Sequence, residues 1–351
     1  MLRALVPCLF SCFLASAALA QGWSFDLELG ARQDDRSSHQ FGELTTDSSS
    51  FSRHGRPGVD TDDTGFGCRF GVTRHLSNGN AISFSLAIDQ FDDRGTFRHD
   101  AGSRDVLFQL PFIDGPGVQD TSRLDGDTVG FALREAFSEV DHESDELELG
   151  IDWVRPIFGD GRGMSLAVGI RYADHDIDDR IEVAGTESTG AATHFSSIVH
   201  RIDERFLGAR VGLDGRREFG NRSRLHWNVA VSALHRDSDY DGVQHVLNDT
   251  GAYAVIGDGN DDDWTGRIEA GIGIDWEVGD AVFLGLGYSL EWWSDVAVIR
   301  TPQVEVVPGA SLTPAVLPTS VLTATDESRI DTDDRIVHHL GVTLSWGHGG
   351  L

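Results

Sequence analysis

The stretch Trp264-TGRIEAGIGIDWEVGDAVFLGLGYSLEW-Trp293 decides how the rest of the chain is read. Ile268, Ala270, Ile272, Ile274 and Trp276 share one parity; Arg267, Glu269, Gly271, Gly273, Asp275 and Glu277 share the other. After the turn Val278-Gly279-Asp280 the alternation resumes. Val282, Leu284, Leu286, Tyr288, Leu290 and Trp292 oppose Phe283, Gly285, Gly287, Ser289 and Glu291, with Phe283 the one large apolar residue on the polar side. A period of two sends alternate side chains to opposite faces of a strand. Each run is about a dozen residues, twice the usual soluble strand of about five or six. Long alternating strands with one apolar face, short turns and aromatic ends are the pattern of a transmembrane β-barrel.

Working outward, the same alternation recurs at 24–32, 65–75, 80–91, 145–155, 164–173, 205–216, 223–236 and 335–346. With the opening pair this predicts an all-β, antiparallel, up-and-down barrel of ten strands. Twelve result if pieces of 104–112 and 129–140 enter the wall, though extension of the neighbouring strands is the favoured reading there. Short links such as Ser77-Asn78-Gly79, a hairpin signal, alternate with long polar segments at 33–64, 92–144, 174–204, 237–263 and 297–334. Short periplasmic turns and long extracellular loops are expected of such barrels. No run approaches the roughly 20 apolar residues of a membrane helix, and only helices and closed barrels satisfy every backbone group in lipid.

The first 20 residues read as a secretory signal peptide: a basic start at Arg3, an apolar core, and Ala18-Leu19-Ala20 before Gln21. Residues 21–351 then form a single barrel, and the expected location is the outer membrane of a Gram-negative bacterium. Cys8 and Cys12 leave with the leader, so Cys68 has no partner for an internal disulfide. The net charge of −29 argues against nucleic acid as a partner. Expected partners are outer-membrane lipid and lipopolysaccharide, with small solutes or ions; the sequence fixes no oligomeric state. Glycine, at 41 of 351 residues, lies largely inside strands, where it leaves room in a lumen.

Charges face lipid only at high cost, so the polar parity should point inward. The lumen-facing candidates are Glu28, Arg69, Glu148, Asp152, Arg171, Arg210, Asp214, Arg267, Glu269, Asp275 and Glu291. Either water fills the lumen and these charges set ion selectivity, or they pair across it and close it. A ten-stranded lumen lies between the filled eight-stranded case and the open porin. The favoured reading is a pore for ions or small solutes, with the acidic excess predicting cation preference. The alternative is a closed structural or adhesive barrel that works through its acidic extracellular loops.

Arg210-Val211-Gly212-Leu213-Asp214-Gly215-Arg216 followed by Gly220-Asn221 resembles a strand–turn segment of the pore-forming outer-membrane proteins related to the Legionella major outer-membrane protein. Gly169-Ile170-Arg171-Tyr172-Ala173, and Gly287-Tyr288 with Glu291-Trp292-Trp293, are similar to other strand ends of that family. The resemblance covers roughly 145–295. It implies a barrel and a pore, and carries over no catalytic residue.

No enzyme is expected. An omptin-type surface hydrolase sets acidic pairs and an Asp–His pair at the extracellular rim, and would draw here on Asp89, Asp92 and Asp93, on Asp174-His175-Asp176, or on His235 with Asp237. Acidic residues crowd every long segment, so such juxtapositions arise without purpose. No cofactor is expected. The calcium candidates are Asp237, Asp239 and Asp241 in a D-x-D-x-D-G run and Asp258, Asn260 and Asp262 nearby. Asn248, rather than a bidentate Glu, stands at the twelfth position of the first.

Overall fold

The computed structural model describes residues 22–34, 39–40, 42–44, 58–59, 63–99, 106–114, 128–157, 163–187, 193–219, 222–248, 251–299, 321–323 and 330–347. The expected leader lies outside them. Ten strands follow the alternation: β1 (Trp23–Asp34), β2 (Asp63–His75), β3 (Ala81–His99), β4 (Thr128–Pro156), β5 (Met164–Glu187), β6 (Thr193–Phe219), β7 (Ser223–Asn248), β8 (Gly251–Gly279), β9 (Val282–Ile299) and β10 (Ile330–Gly347). Each pairs antiparallel with its neighbours in sequence, and β1 pairs with β10 from Ser24↔Gly347 to Asp34↔Val337, closing the ring. Closure leaves no unpaired edge in lipid. One further strand, Val106–Asp114, pairs with β4 outside the ring, and Val321–Thr323 runs parallel to 254–256 of β8.

Large apolar residues cover the outside in a continuous belt. Ile170, Leu207, Val231 and Leu340 are each more than half exposed, with Leu29, Phe84, Ile151, Ile272 and Leu286 beside them. In water so large an apolar surface would be a liability; lipid is its natural solvent. Aromatic residues edge the belt. Phe25 stacks on Trp346 at the short-turn end, and Trp264 stands exposed at the other.

The strands differ in height. β1 and β2 have 12 and 13 residues, while β4 to β8 have 24 to 29. About 9–11 residues cross a bilayer, so roughly half of each long strand stands above it as a wall on one side of the barrel. Much of the polar sequence expected as loops at 174–204 and 237–263 is therefore strand. The alternation continues there with its sign reversed. On β5, Ile170 and Tyr172 face out within the belt, whereas above it Asp176, Asp178 and Arg180 face out and Ile177 and Ile181 are buried. A reading that seeks apolar residues on the outer parity loses the strand where lipid ends.

Candidate functional site

Inside the belt the polar parity converges on one ion-pair network. Arg171 holds Asp152 through two bonds, at 2.6 and 3.1 Å, and reaches Glu148 at 3.4 Å. Arg210 bridges Asp152 at 3.4 Å and Glu269 at 3.1 Å. Arg267 joins Glu148 and Glu291, both at 2.8 Å, and Glu269 at 3.2 Å. Glu291 also accepts from Arg32, at 3.0 Å, and from Arg69. Arg32 pairs with Asp89, and Arg335 with Glu146 and, at 2.7 Å, with Asp34. Nearer the short turns, Asp275 accepts from Arg224 at 2.6 Å and lies 3.1 Å from His226, while the Arg224 guanidinium sits over the Phe283 ring at 3.7 Å. Phe283, the apolar exception on its parity, is thus a seat for a cation inside the barrel. Glu28 contacts His339 at 3.0 Å. Asp214 is half-buried on the same inner parity.

All eleven expected lumen residues thus lie on the inner face; nine of them pair with an opposite charge across or along it, and Glu28 meets the His339 ring. The polar parity also places Glu146 inward, as the alternation predicts; Asp34 and Asp89, which sit where strands end or rise above the belt, were not among the expected lumen charges. Nor was Arg335, whose strand carries the apolar Val337 on the same parity, buried like its neighbours.

Glycine makes room for these long side chains. Gly67, Gly30, Gly341, Gly287 and Gly273 stand side by side in register on β2, β1, β10, β9 and β8. A Cβ at Gly30 would come within 2.4 Å of the His339 ring and 2.5 Å of the Leu340 carbonyl. Without side chains at Gly30, Gly67 and Gly341, there is room for His339, Arg32, Asp89 and Glu28 to lie against the wall.

Above the ionic layer the lumen turns apolar. Trp293 and Val296 of β9 pack against Ala173, Phe206 and Leu234 of β5 to β7, and Ala297 packs against Ile177, Ile202 and Tyr240. The rings of Phe206 and Trp293 meet edge-on at 5.3 Å, and His175 fits beside both. The Arg267 guanidinium, 4.4 Å above the Trp293 ring, ties this plug to the ions below. Higher still, His142, Asp179 and His200 are paired in register on β4, β5 and β6. His142 Nδ1 lies 2.5 Å from Asp179 Oδ1 and His200 Nδ1 2.6 Å from Tyr240 Oη, all four residues buried. Burial, with the charges of Asp241 and Asp179, pushes the Tyr240 phenol up, so Tyr240 keeps its proton beside His200. Sequence spacing gave no sign of this row, because only register joins residues 37 and 40 positions apart.

The hydrolase candidates are not brought together. Asp174 and Asp176 face out while His175 faces in, so the wall divides them. Asp89 is buried against Arg32, Asp92 is exposed outside, and the side chain of Asp93 lies outside the described residues. His235 and Asp237 face outward on one strand, with His235 3.9 Å from Asp262. The calcium candidates lie on paired strands rather than in loops: Asp237↔Asp262, Asp239↔Asn260 and Asp241↔Asp258. An extended strand does not wrap an ion as a twelve-residue loop does, and among the described residues no three acidic, His or Cys side chains converge as metal ligands. The Asp258 side chain lies outside the described residues.

The outer face above the belt is a field of carboxylates. Asp145, Asp176, Asp203 and Asp239 stand side by side on β4 to β7. Burial, then the hydrogen bond and charge of Asp203, push the Asp176 carboxyl up.

A closed antiparallel ring with an apolar belt, an ion-paired interior and all short turns at one end defines a β-barrel of the outer-membrane class. No protein-family model and no curated protein matches the chain. Among solved structures, the outer membrane protease OmpT from Escherichia coli aligns with a TM-score of 0.48 at 9% identity, over 92% of this chain and 96% of that one. The translocator domain of the autotransporter NalP from Neisseria meningitidis aligns at 0.28 and 10%, over 99% and 97%. A Pseudomonas aeruginosa FadL homologue aligns at 0.25 and 9%, over 95% and 92%. The likeness is of barrel to barrel, and bears on neither substrate nor activity.

Proposed function

We propose that this is a surface barrel whose lumen is closed at rest, exported by its leader, and that its working surface is the acidic wall of β4 to β8 above the membrane. One observation carries this reading: from the Arg171–Asp152 layer up to the Trp293–Phe206 layer the lumen holds side chains that are mostly buried, with Arg69 and Glu148 the more exposed among them. A standing pore needs its charges hydrated, and these are consumed by one another. The wall is fit to meet cationic partners or the divalent ions that bind lipopolysaccharide phosphates, because its outward carboxylates far outnumber Arg180, Arg201 and Arg205. Catalysis has no support of comparable weight.

The test is single-channel recording of the refolded barrel in a planar bilayer under a salt gradient. The expected record is silent, with the protein folded as judged by heat-modifiable migration. Steady cation-selective steps from the unmodified protein would return the reading to a standing pore.

A further inference from the structure

The seal has two parts of different character. The ionic layer is polar, and Arg32 Nε and Arg210 Nε within it have no hydrogen-bond partner, so water entering there would find donors to solvate. The layer above is lined by buried apolar side chains. An apolar constriction blocks ions by excluding water, and opens when the apolar groups withdraw. Which wall supplies the removable part is set by the backbone.

That wall is β9. Its pairing with β8 ends at Arg267↔Trp293. Its pairing with β10 slips by one residue between Trp293 and Val296, then resumes from Val296↔Asp333 to Ile299↔Ile330. The extra residue is a β-bulge that bends the strand. Asp295 sits in it at φ 53°, a left-handed conformation uncommon for a residue other than Gly, Asn or Asp. Beyond the bulge β9 leans inward and lays Val296 and Ala297 against β5, β6 and β7 on the far side of the lumen. Among the described residues, polar bonds at and just beyond the bulge hold it there. The Ala297 N–H donates to Glu204 Oε1 of β6 at 2.9 Å, with β7 and β8 between the two strands in the ring. Arg236 Nη1 and, at 3.4 Å, Thr265 Oγ1 donate to the Asp295 carbonyl. Ser294 Oγ accepts from the Gly266 N–H at 2.9 Å.

We propose that the two-strand flap formed by 296–299 of β9 and 330–333 of β10 is a gate, hinged at Ser294–Asp295, that opens a conduit for small inorganic cations. It rests on the closed lumen proposed above, since a gate presupposes a resting seal. With the flap withdrawn toward the seam where β8 and β9 no longer pair with each other, Val296 and Ala297 leave the cup of Ile177, Ile202, Phe206 and Leu234, and the apolar constriction widens beside Trp293. The acidic residues of the ionic layer outnumber its arginines, which favours cations.

The experiment is single-channel recording of full-length barrels in a planar bilayer with potassium chloride. Glu204→Ala removes the latch, and Trp293→Ala thins the plug. Ile202→Cys with Ala297→Cys, in a Cys68→Ser background, allows the flap to be pinned by oxidation. Against a nearly silent parent, Glu204→Ala is expected to raise the time spent open about tenfold, the scale of a hydrogen bond to a charged acceptor. Oxidising the cysteine pair in that variant should abolish the gain, and a reductant should restore it. Should Glu204→Ala not fold, Trp293→Ala serves in the same comparison. Folded variants that all stay silent would overturn the gate and leave the closed lumen intact, with the ionic layer as the seal. A parent that conducts as freely as its variants, oxidised or not, would overturn both.

Discussion

Arg171 grips Asp152 in a fork, Nη1 to Oδ1 at 3.1 Å and Nη2 to Oδ2 at 2.6 Å, both groups buried in the lumen. Two parallel bonds fix the guanidinium plane as well as its distance. Removing one partner strands the other charge, which in a buried pair costs about 3–5 kcal/mol. Arg171→Met should sit at the low end, because Asp152 keeps Arg210 at 3.4 Å. Urea unfolding in lipid vesicles, followed by tryptophan fluorescence, measures the cost. A loss under about 1 kcal/mol would mean that water reaches this layer.

Glu291 is the most heavily shared carboxylate of the network, accepting from Arg32, Arg69 and Arg267. Among the described residues Glu269 forms ion pairs with two, Arg210 and Arg267. Glu291→Ala therefore removes an acceptor shared by three guanidiniums, of which Arg32 keeps Asp89 and Arg267 keeps Glu148, and should destabilise the barrel more than Glu269→Ala, by about 1–2 kcal/mol. The order of the two urea midpoints decides it, and a reversed order would refute the network as drawn.

Two glycines in one row should respond differently to the same change. A Cβ on Gly30 meets the His339 ring at 2.4 Å and the Leu340 carbonyl at 2.5 Å, whereas one on Gly287 finds only the Ile272 carbonyl at 3.8 Å. Gly30→Ala should lose about 1–3 kcal/mol through overpacking, and Gly287→Ala should be close to neutral. The yield of heat-modifiable barrel after refolding compares them. Equal yields would show that the lumen yields freely at this height.

The wall above the membrane carries a pH dependence of known sign. The Asp176 carboxyl is raised by burial and by facing Asp203, with Asp174 adding to it and Arg201 opposing. Asp145, opposite on β4, and Arg205 and Asp239, beside and across from Asp203, complete its surroundings. A carboxyl raised in the folded state stabilises it below the unfolded value of 3.8, and that contribution is lost as pH rises through the folded value. The wall should therefore resist proteolysis better just above pH 4 than at neutral pH. Asp203→Asn should flatten the difference, since like charges directly opposite on paired strands repel. Unchanged protease sensitivity between parent and variant across that range would count against the coupling.

Legibility in the sequence followed the solvent. Within the belt, Ile268 to Trp276 and Leu284 to Trp292 announce strands because lipid demands apolar groups outside and the lumen admits polar ones. The inner parity of Arg171, Arg210 and Arg267 followed directly. Above the belt water covers the outer face, so Asp176 and Asp178 replace Ile170 and Tyr172, and Ile177 turns inward; the stretch then resembles a loop. For the same reason Asp237, Asp239 and Asp241, which spell the start of a calcium loop, stand on a straight strand facing another strand.

The sequence by itself determined a barrel of ten membrane-crossing strands, which parity faces lipid, and which end carries the short turns, because these follow from the period of side chains along one strand. Which charges meet was decided only by the closed ring. Register and shear bring Glu291 to Arg32 across 259 positions and Arg335 to Asp34 across 301. The one-residue slip at Asp295 lays Ala297 against Glu204. Whether the lumen is open depends on these distances across the ring, and the alternation along a strand carries no information about them.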